Sequence, residues 1–213
     1  MLAALSIGIP GIWVMHFVAM LGFTIPGQTI RYDVPITILS ALVAVAVVSV
    51  GLLIVGFGGQ GHMPLLLGGL IIGFGVASMH YIGMAAMRMQ GTVHYNSFLV
   101  AISVLIAIVA GTAALWAGRI RQFGATIAAS LIMGVAVSGM HYTGMGAMRV
   151  YPSPQSADML GGATAGGFLL PLIIGIGSLT FILTAAVALS PTEQELRDDA
   201  ALMARINRGN LRP

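Results

Sequence analysis

Long apolar stretches alternate with short polar segments along the chain, and this pattern predicts six membrane-crossing helices. Each stretch reaches the about 20 residues that a helix needs to cross the hydrocarbon of a bilayer. None of them shows the apolar/polar alternation of a barrel strand. The predicted fold class is therefore all-α, a polytopic membrane bundle of six transmembrane helices. The stretches, called spans A to F, are Leu2–Thr24, Pro35–Phe57, Met63–Met87, Phe98–Ala117, Phe123–Met148 and Gly166–Leu189.

Composition supports a membrane protein and excludes several functions. Apolar residues make up 58% of the chain and charged residues 7%, which leaves too little polar surface for a water-soluble globule. The arginines form no run that could follow a phosphate backbone, so no nucleic-acid partner is expected. There is no cysteine, so a soft metal ligand must be one of the 14 methionines. The spans contain no carboxylate for acid–base catalysis, and no enzyme activity is expected.

The arginines also predict an orientation. Arg119 and Arg121 lie between spans D and E, and four more arginines follow span F, against three at the opposite ends. The positive-inside rule therefore places the D–E connection and the C-terminus in the cytoplasm. The spacing of Ser190 and Glu193 resembles a capping box and predicts a cytoplasmic helix over about Pro191–Ile206. That helix either continues span F as a signalling helix or lies on the membrane as an amphipathic end. The heptad positions are Leu189, Leu196 and Met203.

An internal repeat is the most informative feature. Span C ends GFGVASMHYIGMAAMR (73–88) and span E ends GVAVSGMHYTGMGAMR (134–149), with ten of sixteen positions identical. Span A carries a divergent third copy around His16. The segments before spans B and D, 32–40 and 95–103, align as well. The repeat unit is interpreted as a helix without the motif, called a plain helix, followed by a helix with the motif, called a motif helix. This internal two-helix repeat is about 60 residues long. Span A is a motif helix that no plain helix precedes.

These residues resemble the bacterial MHYT integral membrane sensor domain. Residues 140–143 spell the name-giving motif, and 79–82 (MHYI) and 15–18 (MHFV) resemble its other copies. The resemblance covers residues 1–150. It implies a six-helix sensor unit in the bacterial inner membrane, with multiple passes and a cytoplasmic C-terminus. It also implies a cytoplasmic signalling output, fused or separate, such as a diguanylate cyclase or phosphodiesterase. Finally, it implies a copper centre that responds to oxygen, carbon monoxide or nitric oxide.

The resemblance and the repeat together suggest three regions. Residues 1–150 form the sensor unit without its first helix, 151–189 an outer loop and the final transmembrane helix, and 190–213 a short cytoplasmic helical tail. Because the repeat interpretation leaves span A without a partner, Met1 is expected to be a misassigned start or the result of a truncation. The bilayer is the expected surrounding, and association with a second copy stays open.

Each motif places a methionine four residues after its histidine, on the same helix face. Imidazole and thioether together suit copper, Cu(I) in particular, whereas zinc would be held by three histidines alone. Arg88 and Arg149 follow their histidines by eight residues, or about 12 Å of helix, which places the histidines at one depth in the outer half of the bilayer. The candidate metal ligands are His16, Met20, His80, Met84, His141 and Met145.

Further residues near the motifs are secondary candidates. Tyr81 and Tyr142 point about 100° away from the histidines and are expected to form hydrogen bonds between helices or to support the ligands. Met87 and Met148 would extend the helix face that carries the candidate ligands by one turn. Met15, Met79 and Met140 are expected to be secondary ligands or core residues. Trp13 is interpreted as packing. His62 and His94 are interpreted as solvated loop residues.

Three functions compete at this stage. The first is a membrane sensor that passes a change in metal ligation to the cytoplasmic side. The second is electron transfer through a haem held by two histidines, or by one histidine and one methionine. The third is storage or transport of copper, although the methionines form no continuous path across the inner half of the bundle. A structural alternative is that each histidine only bonds a neighbouring helix.

Overall fold

The structure, a computed structural model, describes residues 2–59, 61–120, 123–151, 161–191 and 197. In these ranges, six helices are long and apolar enough to cross a membrane. Their bounds lie within three residues of spans A to F, so the predicted polytopic six-helix fold is confirmed. We call them α1 (2–21), α2 (Val34–Phe57), α3 (His62–Ala85), α4 (Ser97–Ala117), α5 (Phe123–Ala147) and α6 (165–189).

The chain divides into two compact units. The first, Met1–Ile176, contains α1 to α5 and the start of α6, where Leu169 is fully buried. The second, Gly177–Pro213, contains in its described part the rest of α6, whose described side chains are mostly exposed. Apart from Pro191 and Arg197, the tail helix predicted over Pro191–Ile206, with Leu196 and Met203, lies outside the described residues.

Helix α1 is continuous but contains a π-helical segment. Its parts are Leu2–Ser6, the π segment Ile7–Trp13 and Val14–Leu21. Pro10 lies inside the π segment, where its missing N–H interrupts the regular ladder of α-helical hydrogen bonds. Gly8 lets this segment approach α2 closely, since a Cβ there would lie 3.1 Å from the Cα of Val45. This contact positions the helix that carries His16.

Small residues bring α3 and α4 together in the same way. A Cβ at Gly69 would overlap Thr112, and one at Gly73 would overlap the backbone of Ile108. Close approach at glycines is a common way to pack helices inside a membrane, where burial from water gives no driving force. This contact aligns α3 with α4 below the position of His80.

The helices that follow the motif helices begin with side-chain caps. Asp33 Oδ1 accepts a hydrogen bond from the Ile36 N–H at the start of α2. Asn96 Oδ1 accepts from the backbone at the start of α4, and Thr164 Oγ1 accepts from the Gly167 N–H at the start of α6. Each cap satisfies a backbone donor that the helix leaves unpaired. The three caps therefore occupy matching places in the repeat.

In the described part of the chain, five short strands lie at one end of the bundle, called the sheet end. One sheet has the order β2-β1-β5, with Tyr32 opposite both Met87 and Ala163, and the other pairs β3 with β4. The opposite end, which carries the α2–α3 and α4–α5 connections, is called the turn end. The strands are β1 (Arg31–Tyr32), β2 (Met87–Arg88), β3 (Thr92–Tyr95), β4 (Met148–Tyr151) and β5 (Ala163–Thr164).

The strands correct one detail of the sequence interpretation. Met87 and Met148 do not extend the helix face of the candidate ligands by a turn, because each begins a strand within two residues of the end of its helix. Arg88 and Arg149 likewise lie in strands. The physical reason is local: the Asp33 N–H donates to the carbonyl of residue 86, and the Asn96 N–H to that of residue 147, so the chain pairs with its neighbours there instead of continuing the helix.

Two further histidines lie away from the motifs. His62 is exposed, as expected, but it is the first residue of α3 and not part of a loop. His94 is exposed within β3, where its ring lies 5.4 Å from that of Tyr151. The interpretation of both as loop residues is therefore wrong in location, although their exposure agrees with it.

Candidate metal centre

The three motif histidines meet inside the bundle. His16 comes from α1, His80 from α3 and His141 from α5. Their side chains are 1%, 0% and 1% exposed, and one ring nitrogen from each lies within 4.8 Å of the others. Among the described residues this is the one group of His, Cys, Asp or Glu side chains placed to hold a metal ion. The three repeats thus contribute one imidazole each to one layer.

The rings face one another through Nδ1. His16 Nδ1 lies 3.0 Å from His141 Nδ1 and 3.1 Å from His80 Nδ1. The ring centroids lie 4.9–5.0 Å apart and the rings meet edge to face. The arrangement resembles a tripod with the three Nδ1 atoms at its centre.

Hydrogen bonding alone cannot satisfy this centre. A neutral imidazole has one N–H and one lone pair. The Nδ1 of His16 contacts two other Nδ1 atoms, and either its single N–H or its single lone pair has to serve both contacts. A cation in the centre would instead accept the lone pairs of all three neutral rings. The number of N–H groups and lone pairs on these buried rings therefore favours a bound metal ion over hydrogen bonds alone.

The Nε2 atoms point outward and are tightly enclosed. All three are buried, and none has a hydrogen-bond partner among the residues that the structure describes. A Cβ at Gly83 would overlap His16 Nε2, and a Cβ at Gly144 would overlap His80 Nε2. The rings of His16 and His80 thus each pack against the glycine three residues after the next motif's histidine. The space that a side chain at either glycine would occupy is therefore already filled by a histidine ring.

The donor set fits a metal ion. Imidazole nitrogens bind zinc at about 2.0–2.1 Å, and two such ligands at a tetrahedral angle lie about 3.3 Å apart, close to the observed Nδ1 separations. Imidazole also suits copper and iron, whereas hard cations prefer oxygen ligands to imidazole nitrogens. The centre can therefore hold a transition-metal ion, and the three histidines by themselves do not select which one.

The methionines of the motifs surround this layer. Met20, Met84, Met79 and Met140 are 2% exposed or less, and Met15 and Met145 are half-buried. Met20, Met84 and Met145 follow their histidines by one turn toward the sheet end. Their role as metal ligands stays a prediction.

Aromatic residues tie the motif helices to their neighbours. The hydroxyl of Tyr81 forms a 2.7 Å hydrogen bond with Ser103 Oγ on α4, the kind of interhelix bond expected for this tyrosine. In the first repeat Phe17 has no hydroxyl, and Trp13 Nε1 donates instead to Ser40 Oγ, at 2.9 Å. Trp13 is therefore a hydrogen-bonding residue as well as a packing residue. In the third repeat Tyr142 is 63% exposed.

The sequence also indicates that Ser40 and Ser103 form interhelix hydrogen bonds, which the repeat alone did not lead us to expect. Ser40 and Ser103 occupy matching positions of the aligned segments 32–40 and 95–103. A repeated serine inside an apolar helix needs a hydrogen-bond partner. The loss of the tyrosine hydroxyl at Phe17 then points to a substitute donor nearby.

Charged groups stabilise the sheet end above the centre. Arg88 donates to Asp33 Oδ2 at 2.6 Å, and this bond, with the backbone bond from Ile36, lowers the pKa of Asp33. Burial raises the pKa of Tyr32 to about 12. Arg31 Nη1 donates to the Gly162 carbonyl. These contacts hold β1 between its neighbours and close the bundle above the histidine layer.

The fold and site define a class: a multi-pass helical membrane protein with a buried three-histidine group built from three repeats. The MHYT family, described as "Bacterial signalling protein N terminal repeat", matches residues 10–69, 73–131 and 134–197. The chain belongs to this family. No solved structure matches it.

Curated relatives are longer signalling proteins. The chain is 38% identical over 209 residues to the bifunctional diguanylate cyclase/cyclic di-GMP phosphodiesterase MucR of Pseudomonas aeruginosa, covering 93% of this chain and 30% of that protein. It is 42% identical over 185 residues to the cyclic di-GMP phosphodiesterase NbdA of the same organism, covering 84% and 23%. The signaling protein YkoW of Bacillus subtilis is 32% identical over 143 residues, covering 63% and 18%. The chain thus spans less than a third of these relatives.

The family match also gives the frame of the repeat. Each matched segment begins near a motif helix and includes the helix that follows it, so the pairs are α1 with α2, α3 with α4, and α5 with α6. The sequence interpretation paired each motif helix with the preceding helix and left span A without a partner. In the family's frame, span A pairs with span B. The third segment extends the resemblance from residue 150 to residue 197.

Proposed function

We propose that the chain is the membrane sensor unit of a bacterial signalling protein, with a copper ion at the three-histidine centre. The observation that carries the proposal is the convergence of three buried Nδ1 atoms, one per repeat, in which those of His141 and His80 lie 3.0 and 3.1 Å from that of His16. A polar group inside a membrane is costly and points to function. Copper is favoured over zinc because methionine side chains follow each histidine by one turn.

The expected stimulus is a change at this centre, either of redox state or of a diatomic ligand such as oxygen, carbon monoxide or nitric oxide. The copper would supply the redox or gas-binding chemistry. The chain's own residues hold three imidazoles in register, exclude water from them and connect each one to a separate helix. Any change in the preferred spacing of the nitrogens therefore acts on α1, α3 and α5 together.

The output is proposed to lie in the cytoplasm. MucR and NbdA are named as enzymes of cyclic di-GMP metabolism, and the chain matches only a minor part of each. We propose a fused or separate output of this kind, reached through α6 and the tail. The inner membrane is part of this proposal because the family is bacterial and signalling. The cytoplasmic turn end and the cytoplasmic C-terminus are part of it because of the arginine distribution.

The geometry gives less support to haem. The histidine rings contact one another edge to face at 4.9–5.0 Å, and a porphyrin between two of them would require the rings to separate. Copper storage or transport uses the same centre and differs from sensing only in metal exchange.

The test is elemental analysis of the purified membrane protein together with its visible spectrum. Copper near one ion per chain, without a Soret band, is the expected result. Iron with a Soret band would replace the proposal with a cytochrome. Zinc in place of copper would leave a metal centre without redox chemistry and contradict the sensing mechanism. Slow exchange of bound copper separates a sensor from a carrier, which has to release its ion rapidly.

A further inference from the structure

A large apolar cavity lies in the turn-end half of the bundle, within the first compact unit. Its volume is about 720 Å³, and α1 to α5 all contribute to its walls. Its upper boundary includes Ile12, Val76 and Val137, which precede His16, His80 and His141 by four residues each. Met140, directly before His141, also lines the cavity, which therefore begins next to the histidine layer and extends away from it toward the turn end.

The length of the cavity corresponds to one leaflet. Thr126 and Met140 both line it on α5, and fourteen residues of helix span about 21 Å. A bilayer with its headgroup regions is about 40–45 Å thick, so one leaflet contributes about 20–22 Å. A ligand aligned with this cavity thus occupies the depth of one leaflet, from the headgroup to the end of an acyl chain.

The chemistry of the walls changes from one end to the other. The surface is almost entirely apolar along α4, where Ala110 and Ala114 line it. Arg119 lines it at the turn end, where its guanidinium donates to the carbonyls of Gly59 and Gly61. A guanidinium has five N–H donors and a permanent positive charge, which suits phosphate oxygens. The cavity is therefore apolar over its length and cationic at its mouth.

We propose that this cavity binds one acyl chain of an anionic phospholipid, with the lipid phosphate beside Arg119. The hydrocarbon walls, the one-leaflet length and the charge at the mouth each match a part of such a lipid. A volume of about 300–1,000 Å³ is usual for ligand pockets, and this cavity falls within that range. The proposal goes beyond the metal centre, since lipid binding here requires no metal.

Photo-crosslinking of the full chain in nanodiscs tests the proposal. The nanodiscs contain phosphatidylcholine with a small fraction of phosphatidylglycerol that carries a diazirine near the end of one chain. Irradiation should label cavity-lining residues of α4 and α5. Phosphatidylcholine carrying the same diazirine should label them several-fold less, and free diazirine fatty acid distinguishes the chain alone from the whole lipid.

Two matched variants on α4 test whether the labelled lipid lies inside the cavity. Ala110→Phe places a ring in the cavity, whereas Ala113 is exposed on the same helix outside it, so Ala113→Phe is the control. Ala110→Phe should reduce cavity labelling several-fold and Ala113→Phe should not. Ala114→Leu fills less space and serves if the larger change prevents folding. Arg119→Gln should reduce the preference for phosphatidylglycerol over phosphatidylcholine.

Several outcomes would overturn the proposal. Equal labelling in Ala110→Phe and Ala113→Phe would place the lipid outside the cavity, as would wild-type labels confined to lipid-facing side chains. Equal labelling by both lipids would remove the role of Arg119, and stronger labelling by the free fatty acid would replace the phospholipid. Each measurement is repeated after metal removal with a chelator, so a failure of the copper proposal leaves the lipid result unaffected.

Discussion

At the scale of single residues, the centre depends on which nitrogen of each ring faces inward. Nδ1 converges and Nε2 packs against a neighbouring helix. This selection comes from helix rotation and from the missing side chains of Gly83 and Gly144. The ligand atoms and the glycines therefore form one arrangement, and substitution at either should affect metal binding.

Replacing His80 or His141 by Ala should remove most of the bound copper while the protein still inserts and folds. Each change deletes one of three nitrogens, and two imidazoles cannot complete the centre. The exposed His62 is the control, and His62→Ala should retain full metal content. Metal content and thermal unfolding are measured on the same samples. Full retention of copper in both motif variants would return the histidines to a purely structural role.

The thioether contribution is tested separately. Met84→Leu and Met145→Leu keep the side-chain volume and remove only the sulfur. Copper affinity, measured by competition with a chelator, should fall in both variants while zinc affinity stays the same. Unchanged copper affinity would limit the ligand set to the three histidines.

Gly144→Ala should disrupt the centre although alanine favours helix more than glycine does. A methyl group there overlaps the ring of His80, which has to move. Gly146 lies two residues further along the same helix with open space around it, so Gly146→Ala should gain up to about 1 kcal/mol of helix stability. The two variants are compared by metal content. Equal copper in both would show that the ring can shift without losing its ligand position.

At the scale of elements, short contacts at the sheet end join the repeats. Asp33 caps α2 and pairs with Arg88 of β2, and Tyr32 in β1 lies between β2 and β5. One short strand thus links the first, second and third repeats directly above the histidine layer. Charge at this end should therefore influence the stability of the whole first unit.

Acid should weaken this junction. Because Arg88 lowers the pKa of Asp33, the stabilisation is complete above about pH 3.9, the ordinary value of a free aspartate, and is lost as the pH falls through the lower folded-state pKa. Asp33→Asn retains a capping side chain but loses the charge. The wild-type unfolding temperature should drop more between pH 6 and pH 3 than that of the variant. An equal drop in the unfolding temperature of both proteins would assign the acid sensitivity to other carboxylates.

At the scale of the whole molecule, hydropathy was sufficient to predict the six helices, and the repeated motif was sufficient to predict that the histidines share a depth. The strands were not predictable, because two-residue segments such as Arg31–Tyr32 have no periodicity to detect. The sequence did not decide which two helices form one repeat, since each motif helix can be paired with the helix before it or with the helix after it. The inward choice of Nδ1 and the cavity beside Ala110 depend on helix rotation and interhelix distance, which hydropathy does not encode.

The proposed orientation is tested with reporters at each end. An enzyme reporter that is active only in the cytoplasm, fused after Pro213, should be active, and one fused ahead of Met1 should be active as well, because six crossings return the chain to its starting side. A reporter inserted between residues 152 and 160, after β4, should be inactive. Activity at that insertion alone would invert the topology and place the cavity mouth on the outer surface.

Because the three Nδ1 atoms come from three different repeats, the histidine layer forms only after all three repeats have been inserted correctly into the membrane. A chain with one helical pair missing or inverted brings only two imidazoles to the layer. A ligand that binds only the finished arrangement adds to its stability, by about 2.7 kcal/mol at a free concentration 100 times its dissociation constant. Metal supply during synthesis would thereby favour correctly inserted chains, and copper-starved cells should accumulate more of the protein in protease-sensitive form.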